Sequence, residues 1–426
     1  MSCGITKGLM PNILSESIKR CRLCDSGQIK TFLVLGLQPP ANSLRSDLAE
    51  ELPLIPLSLC RCEKCATVQL TETVRPEHLF KHYLWVTGTS AAAKTYASLF
   101  YQEASKRFNL KSSFVVEIAS NDGTFLKVFK ENGLRVLGVD PAENIAKTAN
   151  QNGIFTWPEF FGEKISGQIV LKEGLADFMF ARNVIPHVAD IHDVIAGMKR
   201  CLHPEGVGAI EFHYAKVIVD GLHYDSIYHE HLFYFSLKSI GFLLNLHGLQ
   251  AFDLIESPIS GGSLVLYFSH KDSKKKSSKS LKQKIEEEEG SGLGARETWE
   301  KFSQDCQKHK KKLTELITKE KLNGKVLVGY GASARSSTLL NFCNINQEHL
   351  VCIADQNPLK HNKFTAGTDI LIVSPEKAFA KKPDVVVLLA WNFKEEILAL
   401  LKNKYHFRGK VIVPLPNHPQ VISLSI

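Results

Sequence analysis

The chain has no run of eighteen apolar residues, and its opening stretch MSCGITKGLMPNILSESIKR lacks the apolar core of a secretory leader. A soluble, cytoplasmic protein without a membrane partner is therefore expected. A basic surface would suit phosphate-bearing substrates, but much of the basic charge is concentrated in one stretch. The net charge is +8, but seven lysines lie between Lys271 and Lys284 and four glutamates follow at Glu286 to Glu289. That pattern reads as one solvated linker, so no nucleic-acid partner is expected. What remains is globular: 426 residues, 44% hydrophobic and 23% charged, enough for two or three domains.

Ten cysteines in a chain of this size and compartment argue for metal rather than disulfides, and Cys21, Cys24, Cys60, Cys62 and Cys65 cluster near the N-terminus. Cys21-x-x-Cys24 and Cys62-x-x-Cys65 each offer two thiolates from a tight turn, and two such turns make a closed, structural zinc site. Cys60 competes for a ligand position, and the 37 residues between the pairs exceed a usual ribbon spacing.

Downstream, FVVEIASNDGTFLKVFKENGLRVLGVDP reads as strand, turn, helix, strand and acid. Phe114 to Ile118 carries Glu117, the turn runs Ala119-Ser120-Asn121-Asp122-Gly123, and the second strand ends at Asp140. This opens a doubly wound sheet in which ligands gather at the carboxyl ends of the strands. Asp140 is placed to accept hydrogen bonds from a ribose diol, and Gly123 lets backbone approach a ligand. Ala119 and Asn121 stand where a dinucleotide fingerprint would have glycines; class I methyltransferases use this turn for the amino acid part of S-adenosylmethionine instead. Tyr83 and Trp85 precede a helix over Ala91 to Lys106 and either line a pocket or pack at a seam.

Polar groups follow successive strand ends. Ala176 to Ala181 runs into Asn183 and His187, and Gly208 to Phe212 runs into His213. Then comes HYDSIYHEHLFYF, His223 to Phe235, with Tyr228, His229, Glu230 and His231 in a row. Histidine titrates nearest neutrality, and a carboxylate neighbour is what a general base needs. Segment 271–320 is expected to be linker and then a helix through Trp299 to Ile317. The last hundred residues begin a second α/β unit. There Gly329-x-Gly331 with Asp355 is a partial dinucleotide signature, and the helix start at Ser333 and Arg335 suits a nucleotide sugar's phosphates. Trp391 and Asn392 follow a later strand at the same edge.

The order of these parts resembles the sugar C-methyltransferases that modify nucleotide-linked keto-deoxysugars. The resemblance covers nearly the whole chain. It rests on the two cysteine pairs, Pro40-Ala41-Asn42, Val68-Gln69-Leu70, Glu117 to Gly123, Asn183 through His187, and Tyr228 to His231. Gly261-Gly262-Ser263-Leu264, Gly331-Ala332-Ser333-Ala334 and Ala390-Trp391-Asn392-Phe393 extend it. It implies an α/β chain with an N-terminal zinc-binding domain (1–75), a central class I, Rossmann-like S-adenosylmethionine methyltransferase domain (76–270) and a charged linker and helix (271–320). A C-terminal Rossmann-like domain (321–426) would hold the nucleotide sugar.

By the same resemblance His231 is the base, Glu230 its orienting partner, and Tyr228 and His187 act near a keto oxygen. Glu117, Ala119, Asn121, Asp122, Gly123, Asp140, Asn183 and Tyr83 would bind S-adenosylmethionine. Gly331, Ser333, Arg335, Asp355, Trp391 and Asn392 would bind a nucleoside-diphosphate keto-sugar. Zinc would be structural, and the protein a monomer or weak homodimer. The chain departs from the pattern at Ser260 for a histidine, Val265 for an arginine, and Arg335-Ser336-Ser337 for a lysine-glycine-asparagine run. The implied reaction is methylation beside a C4 ketone, at C3 ahead of C5. An NAD-dependent nucleotide-sugar oxidoreductase using the C-terminal glycine turn is the alternative from another enzyme class, and a nucleic-acid-binding protein is the third.

Overall fold

In the computed structural model, residues 14–76, 79 and 86–424 are described; Tyr83 and Trp85 lie outside them. The N-terminal part is antiparallel. Ile29–Gln38 pairs with Ile55–Cys62, which pairs with Val68–Leu70, so the two cysteine turns meet at one end of a hairpin. Its fourth strand is supplied from far along the chain: Phe233–Tyr234 pairs with Gln69 and Val68. The tail of the histidine-rich segment is thus built into the cysteine-bearing sheet.

The central sheet has seven strands. Thr156–Trp157, Arg135–Val139, Phe114–Ile118, Ala176–Arg182 and Leu202–His213 are parallel neighbours in that order, followed by the antiparallel Ser263–His270 and then Leu249–Ser257, which runs again in the direction of the five. The chain winds one way from Phe114–Ile118 and the other way from Ala176–Arg182. The switch point, and with it the ligand crevice, falls between these two strands. Both carry buried apolar side chains on both faces, as strands covered by helices must. Helix Ala91–Arg107, capped by Ser90, lays Tyr96, Ala97, Phe100 and Ala104 on one face. There Phe100 meets Phe125, Phe129, Phe178 and Phe180 with ring centroids 5.1 to 6.4 Å apart.

The third sheet runs Ile372–Val373, Ile353–Ala354, Leu327–Tyr330, Val385–Leu388 and Gly409–Val413 in parallel, closed by an antiparallel Gln420–Leu424.

The solvated linker expected after Lys271 is corrected here. Lys279–Gly290 is a helix that buries Leu281, whereas the helix expected through Trp299 to Ile317 is present as Arg296–Leu322 and buries Trp299, Phe302, Cys306, His309, Leu313 and Ile317 at steps of three or four residues. One of the four consecutive glutamates is buried too. Glu288 accepts the Tyr214 hydroxyl at 2.8 Å and the Leu237 and Lys238 amides at 2.7 and 2.9 Å, capping helix Leu237–Leu246. The lysines occupy the outer face, which is why composition alone resembled a linker.

Candidate active site

The turn after Phe114–Ile118 keeps a glycine-like path without the glycines. Ala119, Asn121 and Gly123 have φ of 53°, 51° and 77°. Left-handed backbone costs an alanine roughly 1–2 kcal/mol, strain of the kind that ligand sites retain. The Asp140 carboxylate fixes the turn by accepting the Asn121 and Ala142 amides at 2.8 and 2.9 Å. Each of its oxygens can accept one further hydrogen bond. Asn121 and Asp122 accept the amides of Thr87 and Gly88, so the loop before helix Ala91–Arg107 closes on the turn. Glu117 is buried beneath it, and desolvation pushes its carboxyl well above the usual range.

Two strands further, the sequence reading missed a buried network. Glu211 accepts from Arg182 Nε at 2.8 Å, from the Tyr96 hydroxyl at 2.9 Å and from the Ser257 hydroxyl at 2.6 Å. Val265 stands directly across from Glu211 on one side and Arg182 on the other. Arg182 thus supplies the cation for this carboxylate where position 265 carries none. Neither residue sits in a motif, so only the pairing of strands reveals them. Asn183, at φ 49°, turns the chain from Arg182 toward His187.

His187 and His231 meet edge to face, with centroids 4.6 Å apart. His231 Nδ1 lies 3.0 Å from the Ser226 carbonyl, which can only accept, so Nδ1 carries the proton and Nε2 is the basic nitrogen. The Tyr228 hydroxyl reaches Nε2 at 2.7 Å. Burial holds His187 down to about 4 and His231 well below the usual imidazole range, the latter also through His187 and Arg335. Both are therefore neutral at pH 7, and His231 is in its basic form.

Glu230 does not orient this imidazole. Its Oε1 accepts from Asn42 Nδ2 at 2.5 Å, and burial raises its carboxyl to about 7. A main-chain carbonyl and a tyrosine take the orienting role that the resemblance gave to Glu230; a carbonyl leaves no signature in a sequence.

The C-terminal residues join the same cluster through an acid the sequence reading passed over. Asp225 accepts from Arg335 Nε and Nη2 at 3.0 and 2.8 Å and from Trp391 Nε1 at 2.7 Å. The Arg335 guanidinium lies 4.6 Å from the Trp391 ring centre, and Trp391 packs on His223 at 4.7 Å. Gly261 closes on the Trp391 indole, which a Cβ there would meet at 3.4 Å. Ser333 caps helix Ala334–Cys343 in a reciprocal pair with Ser336. Gly331 has φ 97° and presses against Ala390, while Asp355 accepts the Ala332 and Asn357 amides at 2.7 and 2.8 Å. Asn392 is exposed beside Trp391.

Arg335 is matched by the Asp225 carboxylate, and Asp225→Ala would strand that mostly buried cation. A loss of about 3–5 kcal/mol is expected, read as a lower denaturation midpoint, with Asp225→Asn intermediate because it can still accept from Trp391.

The four thiols of Cys21, Cys24, Cys62 and Cys65 lie within 4.8 Å of one another, with Cys21 to Cys65 at 3.6 Å and Cys24 to Cys62 at 3.5 Å. A tetrahedral site with Zn–S bonds of about 2.3 Å has edges of this length. All four positions are protein sulfur, so the set fits structural zinc; Cys60 stands outside it. Gln69 donates to Cys21 Sγ at 3.2 Å and accepts the Arg22 amide at 3.1 Å, holding the first ligand turn from behind.

Three family profiles match in succession: a zinc-binding domain over residues 21–80, a methyltransferase domain over 91–254, and a C-methyltransferase C-terminal domain over 258–416. The chain is also 32% identical to the C-methyltransferase NovU of Streptomyces niveus over 409 residues, covering 95% of this chain and 97% of that one. The chain belongs to the C-methyltransferase family. As a member it is an enzyme that takes its methyl group from S-adenosylmethionine, has a zinc-binding domain with Cys21, Cys24, Cys62 and Cys65 clustered, and acts on a small molecule.

Among solved structures, magnesium protoporphyrin IX methyltransferase of Synechocystis with bound S-adenosylmethionine is 12% identical, at a TM-score of 0.32 over 42% of this C-methyltransferase and 79% of that chain. The 1,6-didemethyltoxoflavin N1-methyltransferase of Burkholderia thailandensis is 20% identical, at 0.33 over 43% and 80%. No helix among the described residues is long and apolar enough to cross a membrane.

Proposed function

We propose that this C-methyltransferase methylates the carbon beside the C4 ketone of a nucleoside-diphosphate 4-keto-6-deoxysugar, at C3 ahead of C5. The observation that carries the reading is the neutral His231, its tautomer fixed by Ser226, against His187 and Tyr228 at the strand-end side of the central sheet. A carbon acid next to a ketone needs such a base near neutral pH, whereas oxygen or nitrogen acceptors need less. His231 Nε2 takes the α-proton, the electron pair moves into the enolate, and His187 donates toward the enolate oxygen. Bound S-adenosylmethionine would supply the methyl group to the enolate carbon, its C–S bond breaking and S-adenosylhomocysteine leaving. His213 Nε2 and His223 Nδ1 are buried without a hydrogen-bond partner among the described residues and can meet sugar hydroxyls. Gly331, Ser333, Arg335, Asp355, Trp391 and Asn392 border the nucleotide end. The protein works in the cytoplasm as a monomer or weak homodimer.

A second route has its own observation. Because the Tyr228 hydroxyl already occupies Nε2, the phenol oxygen can take the α-proton as its own proton passes to His231. Tyr228→Phe separates the two: proton exchange at the α-carbon survives if His231 acts directly and stops if the proton passes through the phenol.

The test is titration calorimetry with S-adenosylmethionine, S-adenosylhomocysteine and NAD, followed by methyl transfer to thymidine-diphosphate 4-keto-6-deoxysugars. Micromolar binding of the first two, none of NAD and a mass gain of one methylene on the sugar are expected. Binding of NAD alone would move the site to the Gly329 turn and overturn the reading.

A further inference from the structure

We propose that Asn42, on the zinc-bearing domain, is a positioning residue for methyl transfer: it grips Glu230 and thereby holds the turn from Tyr228 to His231 that aims the base. The inference rests on the reading of His231 just given. The turn is closed by the His231 amide on the Tyr228 carbonyl at 2.9 Å, and its side chains diverge. His231 faces His187, while His229 Nε2 reaches the Ile55 carbonyl at 3.3 Å and Glu230 reaches Asn42 at 2.5 Å. Upstream the segment is fastened by Asp225 to Arg335 and Trp391. Downstream the Leu70 amide donates to the Leu232 carbonyl at 2.9 Å, where the segment enters the zinc-bearing sheet. Between these anchors, Asn42 is the one hydrogen-bond partner of the Glu230 carboxylate among the described residues.

Asn42 is itself held firmly. It follows Pro39, Pro40 and Ala41 in a turn closed by the Ser43 amide on the Pro40 carbonyl at 3.0 Å. Three residues on, Arg45 and Phe364 exchange main-chain hydrogen bonds at 3.0 and 2.8 Å, and Arg45 pairs with Asp369. The turn is therefore docked on the C-terminal domain while its amide reaches the central one. Glu230 is 4% exposed, and a carboxylate so enclosed depends on the partner it has. A hydrogen bond to so enclosed a carboxyl is worth about 0.5–1.5 kcal/mol, and leaving the group without its partner costs about 1–3 kcal/mol, enough to bias the conformation of a four-residue turn.

The experiment is a double-mutant cycle on Asn42→Ala, Glu230→Ala and the pair. Its readouts are deuterium uptake beside the ketone of a thymidine-diphosphate 4-keto-6-deoxysugar with S-adenosylhomocysteine bound, and kcat and KM for methyl transfer. Each single change should slow exchange and kcat by about tenfold to a hundredfold, with the KM for S-adenosylmethionine and the zinc content unchanged, and the pair should be no slower than either. Wild-type rates in Asn42→Ala, or losses that multiply in the pair, overturn the inference. Should the alanine variant fold poorly, Asn42→Ser repeats the cycle with a shorter donor. Imidazole nitrogen shifts of His231 read the same positioning without any acceptor. They should move in Asn42→Ala, and unchanged shifts overturn the inference. A wild-type enzyme that exchanges no sugar proton while those shifts do move would remove the keto-sugar reading instead.

Discussion

His231→Gln should lower turnover by about a hundredfold to ten-thousandfold while leaving S-adenosylmethionine affinity within a factor of two. The amide keeps much of the imidazole's size and can still donate toward the Ser226 carbonyl, so the fold has little to lose. It has no basic nitrogen at neutral pH, so neither the direct nor the tyrosine-mediated transfer can proceed. The turn fixed by Asp140, where the cofactor is proposed to bind, lies elsewhere, and this separation makes the prediction sharp. Methyl transfer measured beside calorimetric titration of the cofactor checks it; full activity would remove His231 as the base.

Loss of zinc should be the second large effect. Structural zinc contributes on the order of 10–16 kcal/mol to small cysteine sites, so Cys62→Ser or strong chelation should cost folding and solubility. Activity should fall with them, as a set of four protein thiolates with no open position fits a structural metal. The route is short: Cys21 is held by Gln69, Gln69 pairs with Phe233, and two residues before Phe233 stands His231. Zinc analysis, melting temperature and turnover should fall together in a chelator titration. A zinc-free protein that stays well folded and inactive would argue for a catalytic metal.

Much of this was legible because certain residues have few other uses. Paired cysteines at a two-residue spacing announce a metal, and the four thiols do meet in one cluster. Turn chemistry was harder: Ala119 and Asn121 adopt the conformation of the glycines they replace, so a search by residue type sees a broken fingerprint where the backbone is intact. Partnerships across domains were harder still. Glu230 sits beside His231 in sequence yet turns to Asn42, 188 positions away, because adjacent side chains on a tight turn point apart. Asp225 carries no motif, and its importance comes from Arg335 and Trp391 arriving from another sheet. The lysine-rich stretch misled in the opposite direction, since a helix that buries one narrow stripe can look like a solvated spacer in composition.

The borrowed strand Phe233–Tyr234 also has a bearing on how the chain is made. Val68–Leu70 is synthesised well before its partner, and at about 5–20 residues per second the ribosome needs roughly 8 to 33 seconds to bring that partner out. Throughout that interval the N-terminal sheet ends in an unpaired, apolar edge, the kind of surface that recruits other strands. The nascent protein therefore passes through a period of vulnerability that ends only when the histidine-rich segment is laid down. A fragment ending at residue 75 would remain in it permanently, so the N-terminal unit should aggregate when made alone and stay soluble when the later strand is supplied.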